Sequence, residues 1–360
     1  MGEDPTEDGE AFHGMLDGRR TTLAAMASRG TILLTGGAGF IGSHVAVEVA
    51  AAGWTPVLLD NFCTSERSVV ARLGQLIGSP VRCIEADIRD APAMREAFRS
   101  GPVHAVIHLA GLKAVGESVE RPALYHDNNV RGTEVLLAAM DEVGVRRMVF
   151  SSSCTVYGTP QRLPIDESHP LSAINPYGQT KLDIERMLDP WVDAGPDRHV
   201  CSLRYFNPVG AHASALIGES PLGIPNNLMP FVVKVARGEQ LELGVFGGDW
   251  PTPDGTGVRD YIHVVDLARG HVAALERLDS MHHERINLGT GVGASVLDVV
   301  HAFERVNGVK VPYAIRPRRA GDAAAAYADP SLAERRLGWS ARLSLDDMVR
   351  DAWAFAARCG

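Results

Sequence analysis

The stretch TGGAGFIG, residues 35–42, constrains the fold most because it separates a short apolar strand from a helix. The strand begins near Ile32, and apolar side chains recur through the helix at the three- and four-residue spacing of one helical face. Gly36, Gly39 and Gly42 form a G-x-x-G-x-x-G turn between the two. Such glycines let backbone N–H groups approach a pyrophosphate, and the helix N-terminus adds partial positive charge. Taken alone, the turn is also typical of a tight connection that binds nothing.

Further apolar segments are predicted strands, and helical stretches separate them. These strands end at Asp60, Asp87, Gly111, Ser153 and Asn207. The alternation predicts a parallel sheet covered by helices on both faces. We therefore predict an α/β fold, with a Rossmann-type doubly wound parallel sheet and a smaller C-terminal α/β lobe.

The pattern divides the chain into three regions. Residues 1–29 open with the acidic MGEDPTEDGE and carry too weak an apolar segment for an export signal, so we expect a disordered extension, with Met15 or Met26 as alternative starts. Residues 30–206 are predicted to bind a dinucleotide. Residues 207–360, rich in glycine, proline and asparagine loops, are predicted to bind mainly substrate, with segments that return to the first domain.

Composition excludes several classes of partner. A net charge of −9 argues against a surface for nucleic acid or anionic membrane, and no apolar run is long enough to cross a bilayer. The five cysteines are odd in number and show no paired spacing, which argues against disulfides and zinc and favours a reducing cytoplasm. We predict no metal site and interpret the adjacent His282 and His283 as surface histidines.

Asp60 closes the second predicted strand, where an acidic side chain can accept hydrogen bonds from an adenosine ribose. A carboxylate there repels a 2′-phosphate, and Asn61 rather than an arginine follows it. This pattern favours NAD over NADP. A turn or helix cap is the alternative interpretation of Asp60.

Other predicted strand ends supply further cofactor contacts, because ligands lie at the carboxyl ends of strands in an open parallel sheet. Asp87 and Ile88 are expected to border the adenine. Ala110, Gly111 and Lys113 are expected against the middle of the cofactor. Each could instead be ordinary loop chemistry.

Tyr177 and Lys181 are four residues apart in INPYGQTK, so they lie on one face of a helix that Pro176 is well placed to begin. Ile184 and Leu188 continue that face, which places the pair on the buried side. A free phenol titrates near pH 10, and an adjacent ammonium and a positively charged nicotinamide would lower its pKa towards general acid and base catalysis. A surface tyrosine–lysine contact is the alternative.

Ser151, Ser152 and Ser153 end the fifth predicted strand, so one of them can hydrogen-bond a reacting hydroxyl. They could instead only solvate the strand end. No G-x-S-x-G sequence surrounds them, which argues against a nucleophilic serine.

Several long segments carry a family resemblance from about Thr31 to the C-terminus. TGGAGFIG, SSSCTVYG, YGQTK and RYFNPVGAH together resemble the extended short-chain dehydrogenase/reductase family. AGLKAVGES, GIPNNLMPF and DGTGVRDYIHVVDLA are similar to the sugar-nucleotide epimerases within it. The resemblance implies NAD-dependent interconversion of UDP-glucose and UDP-galactose by transient oxidation at hexose carbon 4. It also implies a UDP-hexose as partner and a homodimer.

The resemblance implies roles for individual residues. Tyr177 is the implied base and then acid, Lys181 lowers its pKa and holds the nicotinamide ribose, and Ser153 assists proton transfer. The implied cofactor contacts, together with those above, are Gly36, Gly39, Phe40, Ile41, Gly42, Asp60, Asn61, Asp87, Ile88, Leu109, Ala110, Gly111, Lys113, Asn128, Ser153, Tyr177, Lys181 and Phe206. The implied substrate contacts are Lys113, Ala114, Val115, Ser153, Tyr177, Asn207, Asn227, Leu228, Gly244, Val245, Phe246, Arg259, Arg319 and Asp322.

One departure from the family concerns the sugar pocket. The family often has a tyrosine four residues after the GD aspartate, and here Ala326 occupies that position while Tyr327 follows it. In a simple loop register the pocket is wider, and we expect tolerance of UDP-N-acetylhexosamines. An alternative register would return Tyr327 to the pocket. Leu109 replaces the family's usual phenylalanine, a mild apolar change.

Two other functions stay open. A sugar-nucleotide dehydratase or decarboxylase on the same scaffold is one alternative, but Cys154 and Thr155 stand where dehydratases of this superfamily usually have an acidic pair. A non-catalytic NAD-sensing regulatory protein is the other, and an intact Tyr177 and Lys181 argue against it.

Overall fold

A computed structural model describes residues 28–223, 225–319 and 321–359 of the chain. The predicted disordered extension spans residues 1–29, and residues 1–27 of it lie outside the described part of the chain. The strands are β1 Thr31–Thr35, β2 Thr55–Asp60, β3 Arg82–Glu85, β4 Ala105–His108, β5 Arg147–Ser153, β6 His199–Tyr205, β7 Asn207–Val209, β8 Leu243–Phe246, β9 Val258–His263, β10 His283–Leu288, β11 Gly293–Ser295, β12 Tyr313–Arg316 and β13 Ala325–Ala326.

Helices alternate with most of these strands. They are α1 Phe40–Ala51, α2 Ser68–Ile77, α3 Ala91–Arg99, α4 Val115–Glu120, α5 Pro122–Tyr125, α6 Gly132–Val143, α7 Pro176–Asp193, α8 Leu228–Ala236, α9 Val264–Arg277, α10 Val296–Asn307, α11 Ser331–Leu337 and α12 Leu345–Cys359. A π-helical segment, His126–Arg131, precedes α6, and 3₁₀ turns follow β5 at Cys154–Tyr157 and α9 at Leu278–Ser280. No helix within the described residues is both long enough and apolar enough to cross a membrane.

The main sheet has seven parallel strands in the order β10-β6-β5-β4-β1-β2-β3. The chain starts in the middle at β1, winds outward to β3, and then returns beside β1 with β4. The strand order therefore reverses between β1 and β4, which opens a crevice at their carboxyl ends. This topology confirms the predicted α/β fold with a doubly wound parallel sheet.

Apolar cores cover both faces of the sheet. On one face, α1 contributes Val45 and Val49, and α9 contributes Leu267 and Leu275. On the other, side chains of α3, α6 and α7 pack against β1, β4 and β5. Helix α9 comes from the second half of the chain, so that half returns a segment to the main sheet.

A smaller lobe lies beyond β6. Strand β9 pairs with β7, β11 and β13, and β8 pairs with β12. Side chains of α8, α10 and α12 form a third apolar core around these strands, with Val232, Phe303 and Val349 wholly buried.

Some predicted boundaries differ from the structure. Strand β3 ends at Glu85, before Asp87, and β4 ends at His108, before Gly111, so those two residues lie in the loops beyond the strands. The strand predicted to end at Asn207 stops at Tyr205, and Asn207 begins β7.

The interpretation of His283 as a surface histidine is wrong. It begins β10, and its ring is buried between the Ser202 hydroxyl at 2.9 Å and the Asp189 carboxylate at 2.8 Å. The sequence HERINL does not indicate a strand clearly, because its first three residues are polar and only Ile286 and Leu288 are apolar. The neighbouring His282 is exposed and contacts Asp193.

Candidate active site

Helix α7 carries Tyr177 in its first turn. The Asn175 side chain accepts a hydrogen bond from Gly178 N at 2.8 Å, and Pro176 occupies the first helical position, so the helix starts where the sequence predicts. The Ser118 hydroxyl of α4 accepts a hydrogen bond from Tyr177 N at 3.2 Å. Two elements therefore fix the backbone beneath the phenol.

Lys181 lies one turn further along the same face. Its side chain is 4% exposed, its Nζ donates to the carbonyl of Ser151 at 2.7 Å, and it lies 5.9 Å from the centre of the Tyr177 ring. Burial lowers the pKa of Lys181 to about 8, and the Glu185 carboxylate opposes that shift. The structure thus brings this predicted pair together at the end of β5.

The pKa of Tyr177 is raised in the structure, whereas the sequence suggests that an adjacent ammonium lowers it. Burial raises it to about 12, and the Ser153 hydroxyl opposes that rise. In the protein alone, desolvation of the phenolate is the largest influence, and the ammonium of Lys181 is directed at the Ser151 carbonyl.

Only one of the three serines at the end of β5 has its hydroxyl beside Tyr177. Ser152 donates to Glu185 Oε1, and the Ser151 hydroxyl pairs with Tyr205. Ser153 instead accepts hydrogen bonds from Thr155. Of the three serines, Ser153 is the one whose hydroxyl opposes the rise in the pKa of Tyr177.

Behind the serines lies a buried ion pair that the sequence does not suggest. Arg204 of β6 donates two hydrogen bonds to Glu185 of α7, and both side chains are at most 2% exposed. Arg204 also donates to the Tyr157 hydroxyl at 3.1 Å. The pair ties the catalytic helix to the sheet one turn beyond Lys181.

The glycine-rich turn brings β1 and α1 too close together for side chains. A Cβ at Gly36, whose φ is +68°, would lie 2.7 Å from Ala110 N, and one at Gly42 would lie 2.2 Å from Gly36 O. Helix α1 has no side-chain cap and no acidic residue in its first turn, and its first intrahelical bond runs from Ser43 N to Gly39 O. Free amides therefore remain at Phe40, Ile41 and Gly42, which fits a pyrophosphate.

Asp60 is buried at the end of β2. Its Oδ2 accepts from Ala38 N of the glycine-rich turn at 3.0 Å, while Oδ1 accepts from Phe62 N and the Ser65 hydroxyl. The alternative interpretation, a turn cap, is thus part of its role. Oδ2 keeps acceptor capacity beside the turn, which fits a ribose hydroxyl.

The predicted adenine side is a hydrogen-bonded loop cluster. Asn61 donates to Asp87 Oδ2 at 3.0 Å, and Arg89 donates to both oxygens of that carboxylate. Arg89 thereby holds the pKa of Asp87 well below its usual range. Ile88 is buried against Gly132 at the start of α6.

The loop after β4 lies between the glycine-rich turn and the catalytic helix. Ala110 borders Gly36, and a Cβ at Gly111 would lie 3.7 Å from Lys181 Nζ. Leu109 is only partly buried and packs on the apolar core. Asn129, which sequence reasoning missed, fixes this loop by bonding both backbone groups of Leu112.

Asn128 and Asn129 both lie in the π-helical segment, a rare conformation that is frequent at functional sites. The Asn128 amide donates to Asn129 Oδ1 at 2.9 Å, and Asn129 also donates to Thr180 of α7. The sequence gives no signal that selects Asn129 as the residue that joins the loop to the helix.

Ala326 and Tyr327 contact different parts of the lobe. Strand β13 pairs with β9 so that Ala326 lies opposite Arg259, and Ala326 packs into the cluster that contains Phe206, with Cys154 beside it. Tyr327 points to the other side, where its ring lies 3.1 Å from the Cβ position of Gly293. The structure therefore favours the simple register over the alternative one.

Four predicted substrate contacts form a cluster in the smaller lobe. The guanidinium of Arg319 lies over the Phe246 ring at 4.8 Å and donates to Asp322 at 3.1 Å. Arg259 donates to the carbonyl of Ala323 and lies 3.8 Å from Asp322. Gly244 and Val245 belong to the same strand as Phe246, and Asn207 pairs with β9.

A second cluster joins the two lobes. Lys113 lies 3.6 Å from the carboxylate of Glu219, which also accepts a hydrogen bond from the Asn227 side chain. Burial raises the pKa of Glu219. Sequence reasoning missed Glu219. Ala114 and Val115 begin α4 beside Lys113, and Leu228 begins α8 beside Asn227.

The described residues contain no cluster of three histidine, cysteine or acidic side chains that could hold a metal ion. What they do contain is a phenol, a buried ammonium and a hydroxyl at the carboxyl edge of β5, facing an uncapped helix start. This arrangement can move a proton next to a bound dinucleotide.

Known proteins resemble the chain over most of its length. Residues 32–289 match the NAD dependent epimerase/dehydratase family. A UDP-glucose 4-epimerase of Bacillus subtilis is 53% identical over 323 residues, or 89% of this chain and 95% of the relative. The structure of UDP-glucose-4-epimerase from Stenotrophomonas maltophila, with bound NAD and formylated UDP-arabinopyranose, has a TM-score of 0.89 at 51% identity and covers 91% of this chain and 98% of that one. UDP-glucose 4-epimerase from Bifidobacterium longum, in complex with NAD+ and UDP, has a TM-score of 0.88 at 50% identity, with the same coverage.

Proposed function

The chain belongs to the NAD dependent epimerase/dehydratase family, and we propose that it interconverts UDP-glucose and UDP-galactose by transient oxidation at hexose carbon 4. The observation that carries this function is the grouping of Tyr177, Lys181 and Ser153 at the carboxyl edge of the sheet. Their chemistry is proton transfer, which oxidation and reduction of a secondary alcohol require.

The residues present fit NAD. The free amides of Phe40, Ile41 and Gly42 would hold its pyrophosphate, Asp60 its adenosine ribose, and Lys181 its nicotinamide ribose. Asn61, Asp87 and Ile88 would border the adenine, while Leu109 to Gly111, Lys113, Asn128 and Phe206 would line the remainder. Bound there, NAD+ would supply a hydride acceptor and donor for carbon 4, and its positive charge would favour the Tyr177 phenolate.

The chain's own residues manage the proton. Tyr177 Oη removes it from the 4-hydroxyl and gives it back after the sugar has turned, so one group serves as base and then as acid. Ser153 donates its one hydrogen bond to the Tyr177 oxygen, and the Lys181 ammonium, 5.9 Å from the centre of the Tyr177 ring, stabilises the phenolate. No net proton or electron is consumed.

The smaller lobe anchors the nucleotide so that the sugar can turn. The guanidinium groups of Arg259 and Arg319 match diphosphate oxygens, and the Phe246 ring offers a stacking surface to the base. Lys113 and Asn227 hold the diphosphate from the other side. The other members of this set are Ala114, Val115, Asn207, Leu228, Gly244, Val245 and Asp322.

The pocket wall formed by Ala326 extends the substrate range to UDP-N-acetylhexosamines. Ala326 carries only a methyl group beside Phe206, which is much smaller than a tyrosine side chain, and Tyr327 is directed away from it. Turnover of UDP-N-acetylglucosamine alongside UDP-galactose tests this extension. Undetectable turnover of the former beside brisk turnover of the latter contradicts it.

The two regions of the chain have different proposed roles. Residues 30–206, with helix α9 returned to them, bind the cofactor, and 207–360 bind mainly substrate. The enzyme is a cytoplasmic homodimer whose partners include neither nucleic acid nor membrane, as its net charge of −9 favours.

One incubation tests the main function. Purified protein is given UDP-galactose without added NAD, and UDP-glucose is measured. Formation of UDP-glucose is expected, and Tyr177→Phe should lower the rate by at least about 10²-fold while UDP binding stays nearly intact. No epimer even after NAD+ is added contradicts the proposal, and release of a 4-keto product would favour a dehydratase instead.

A further inference from the structure

Thr155 lies between the two elements that carry Ser153 and Tyr177, and the proposed mechanism gives it no role. It belongs to the 3₁₀ turn that follows β5. Its hydroxyl donates to Ser153 Oγ at 3.0 Å, and its backbone N–H donates to the same oxygen at 3.2 Å. One residue therefore makes two hydrogen bonds to a single catalytic oxygen.

The hydrogen bonds that Ser153 already accepts limit where its hydroxyl proton can be donated. A serine hydroxyl has one proton to donate and two lone pairs to accept with, and Thr155 occupies both lone pairs. The proton must be donated elsewhere, and Tyr177 lies beside this turn, because its neighbour Gly178 packs on Thr155. The Cys154 thiol is also near, but sulfur is a weak acceptor.

We infer that Thr155 is a positioning residue, which directs the Ser153 hydroxyl proton at the Tyr177 oxygen by filling the two acceptor sites of Ser153. The inference rests on the proposed function, since it concerns how the proton-transfer pair is prepared.

A second contact supports the same role. A Cβ at Gly178, the neighbour of Tyr177, would lie 2.9 Å from Thr155 O and 3.2 Å from both Thr155 Cβ and Oγ1. Helix α7 thus approaches Thr155 as closely as a glycine allows. Thr155 touches the serine on one side and the backbone beside the tyrosine on the other, so it sets their separation.

The consequence is electrostatic. A hydrogen bond donated to the phenol oxygen favours the phenolate, which opposes the effect of burial on the pKa of Tyr177. Without the Thr155 hydroxyl, Ser153 can rotate, and its donation to Tyr177 becomes one of several orientations. The other titratable or charged groups around this site are Lys181, Cys154, Tyr125, Tyr205, Arg259 and Glu185.

Thr155→Val and Thr155→Ser form a matched pair, because valine keeps the shape and serine keeps the hydroxyl. Thr155→Val should lower kcat for UDP-galactose about five- to tenfold, the worth of one hydrogen bond. It should also raise the pH at which Tyr177 ionises by up to about one pH unit. Thr155→Ser should restore both. Ultraviolet difference titration of the protein with NAD+ bound, whose positive charge favours the phenolate, follows Tyr177 without turnover, with Tyr177→Phe in each background as the blank.

The outcomes separate the two proposals. If Thr155→Val lowers kcat but leaves the Tyr177 titration where it is in the wild type, Thr155 is only structural and the inference is overturned. If Thr155→Val does not fold, Thr155→Ala provides the same comparison. If the wild type does not epimerise UDP-galactose, the proposed function fails, and the titration still decides the inference.

Discussion

Replacing Gly178 with alanine tests whether the close approach of α7 to the turn after β5 sets the geometry of proton transfer. The new Cβ would lie 2.9 Å from Thr155 O, closer than carbon and oxygen normally pack. A backbone oxygen cannot rotate away as a side chain can. Helix or turn must therefore shift by a few tenths of an ångström.

Two opposing effects decide the stability of this variant. Alanine in a helix is better than glycine by about 0.5–1 kcal/mol, while overpacking costs about 1–3 kcal/mol. We expect the free energy of unfolding to fall by up to about 2 kcal/mol. The activity should suffer more, because a displacement of about 1 Å can cost about 10²-fold and a smaller shift at Tyr177 should cost about tenfold in kcat.

Gly74→Ala is the matched control, since it lies in α2 and its Cβ would meet Ser79 O at an ordinary 3.5 Å. It should stabilise the protein by about 0.5–1 kcal/mol and leave kcat unchanged. Urea unfolding and the initial rate with UDP-galactose measure both quantities. Gly178→Ala with wild-type kcat and raised stability would refute the reasoning.

Three further changes have defined outcomes. Ala326→Tyr should abolish turnover of UDP-N-acetylglucosamine and retain that of UDP-galactose, and equal loss of both would contradict a role in selectivity. Burial lowers the pKa of Lys181 to about 8, so the ammonium charge is present below that pH and lost above it. The kcat should therefore decline above about pH 8, and Lys181→Arg should lack this decline. Glu185→Gln leaves Arg204 buried without a counter-charge and should lower the free energy of unfolding by about 3–5 kcal/mol, whereas Glu185→Met with Arg204→Met should cost much less.

The strands of the main sheet were predictable where both of their faces are buried. Segments such as TPVLLD read as continuous apolar runs, because parallel strands in the middle of a sheet have no solvent side. Strand β10 is different, since it lies at the edge beside β6 and begins with three polar residues. Three polar residues before the apolar ones resemble a loop in the sequence, which is why the prediction that His283 is a surface residue is wrong.

The pairing of Tyr177 with Lys181 was predictable because helical spacing alone brings them together. The direction of the tyrosine's pKa in the protein alone was not, since it depends on how much water the folded chain removes from the phenol. Glu219 and Asn129 were not predicted as site residues, for a related reason. Each acts through contacts with residues distant in the chain, and no local pattern marks such a partner.

Strand parity decides whether Ala326 or Tyr327 lies beside Phe206. Successive side chains of a strand point to opposite faces, so a slip of one residue would exchange Ala326 for Tyr327 at the wall beside Phe206. Sequence alone permits both registers, but the pairing of Ala325 and Ala326 with Val258 and Arg259 fixes one. The buried carboxylate of Asp260 reinforces that register, because it accepts a hydrogen bond from Ala328 N at 3.1 Å and also bonds the Thr290 loop. Any substrate preference set by Ala326 would therefore also depend on Asp260, through the register of β13.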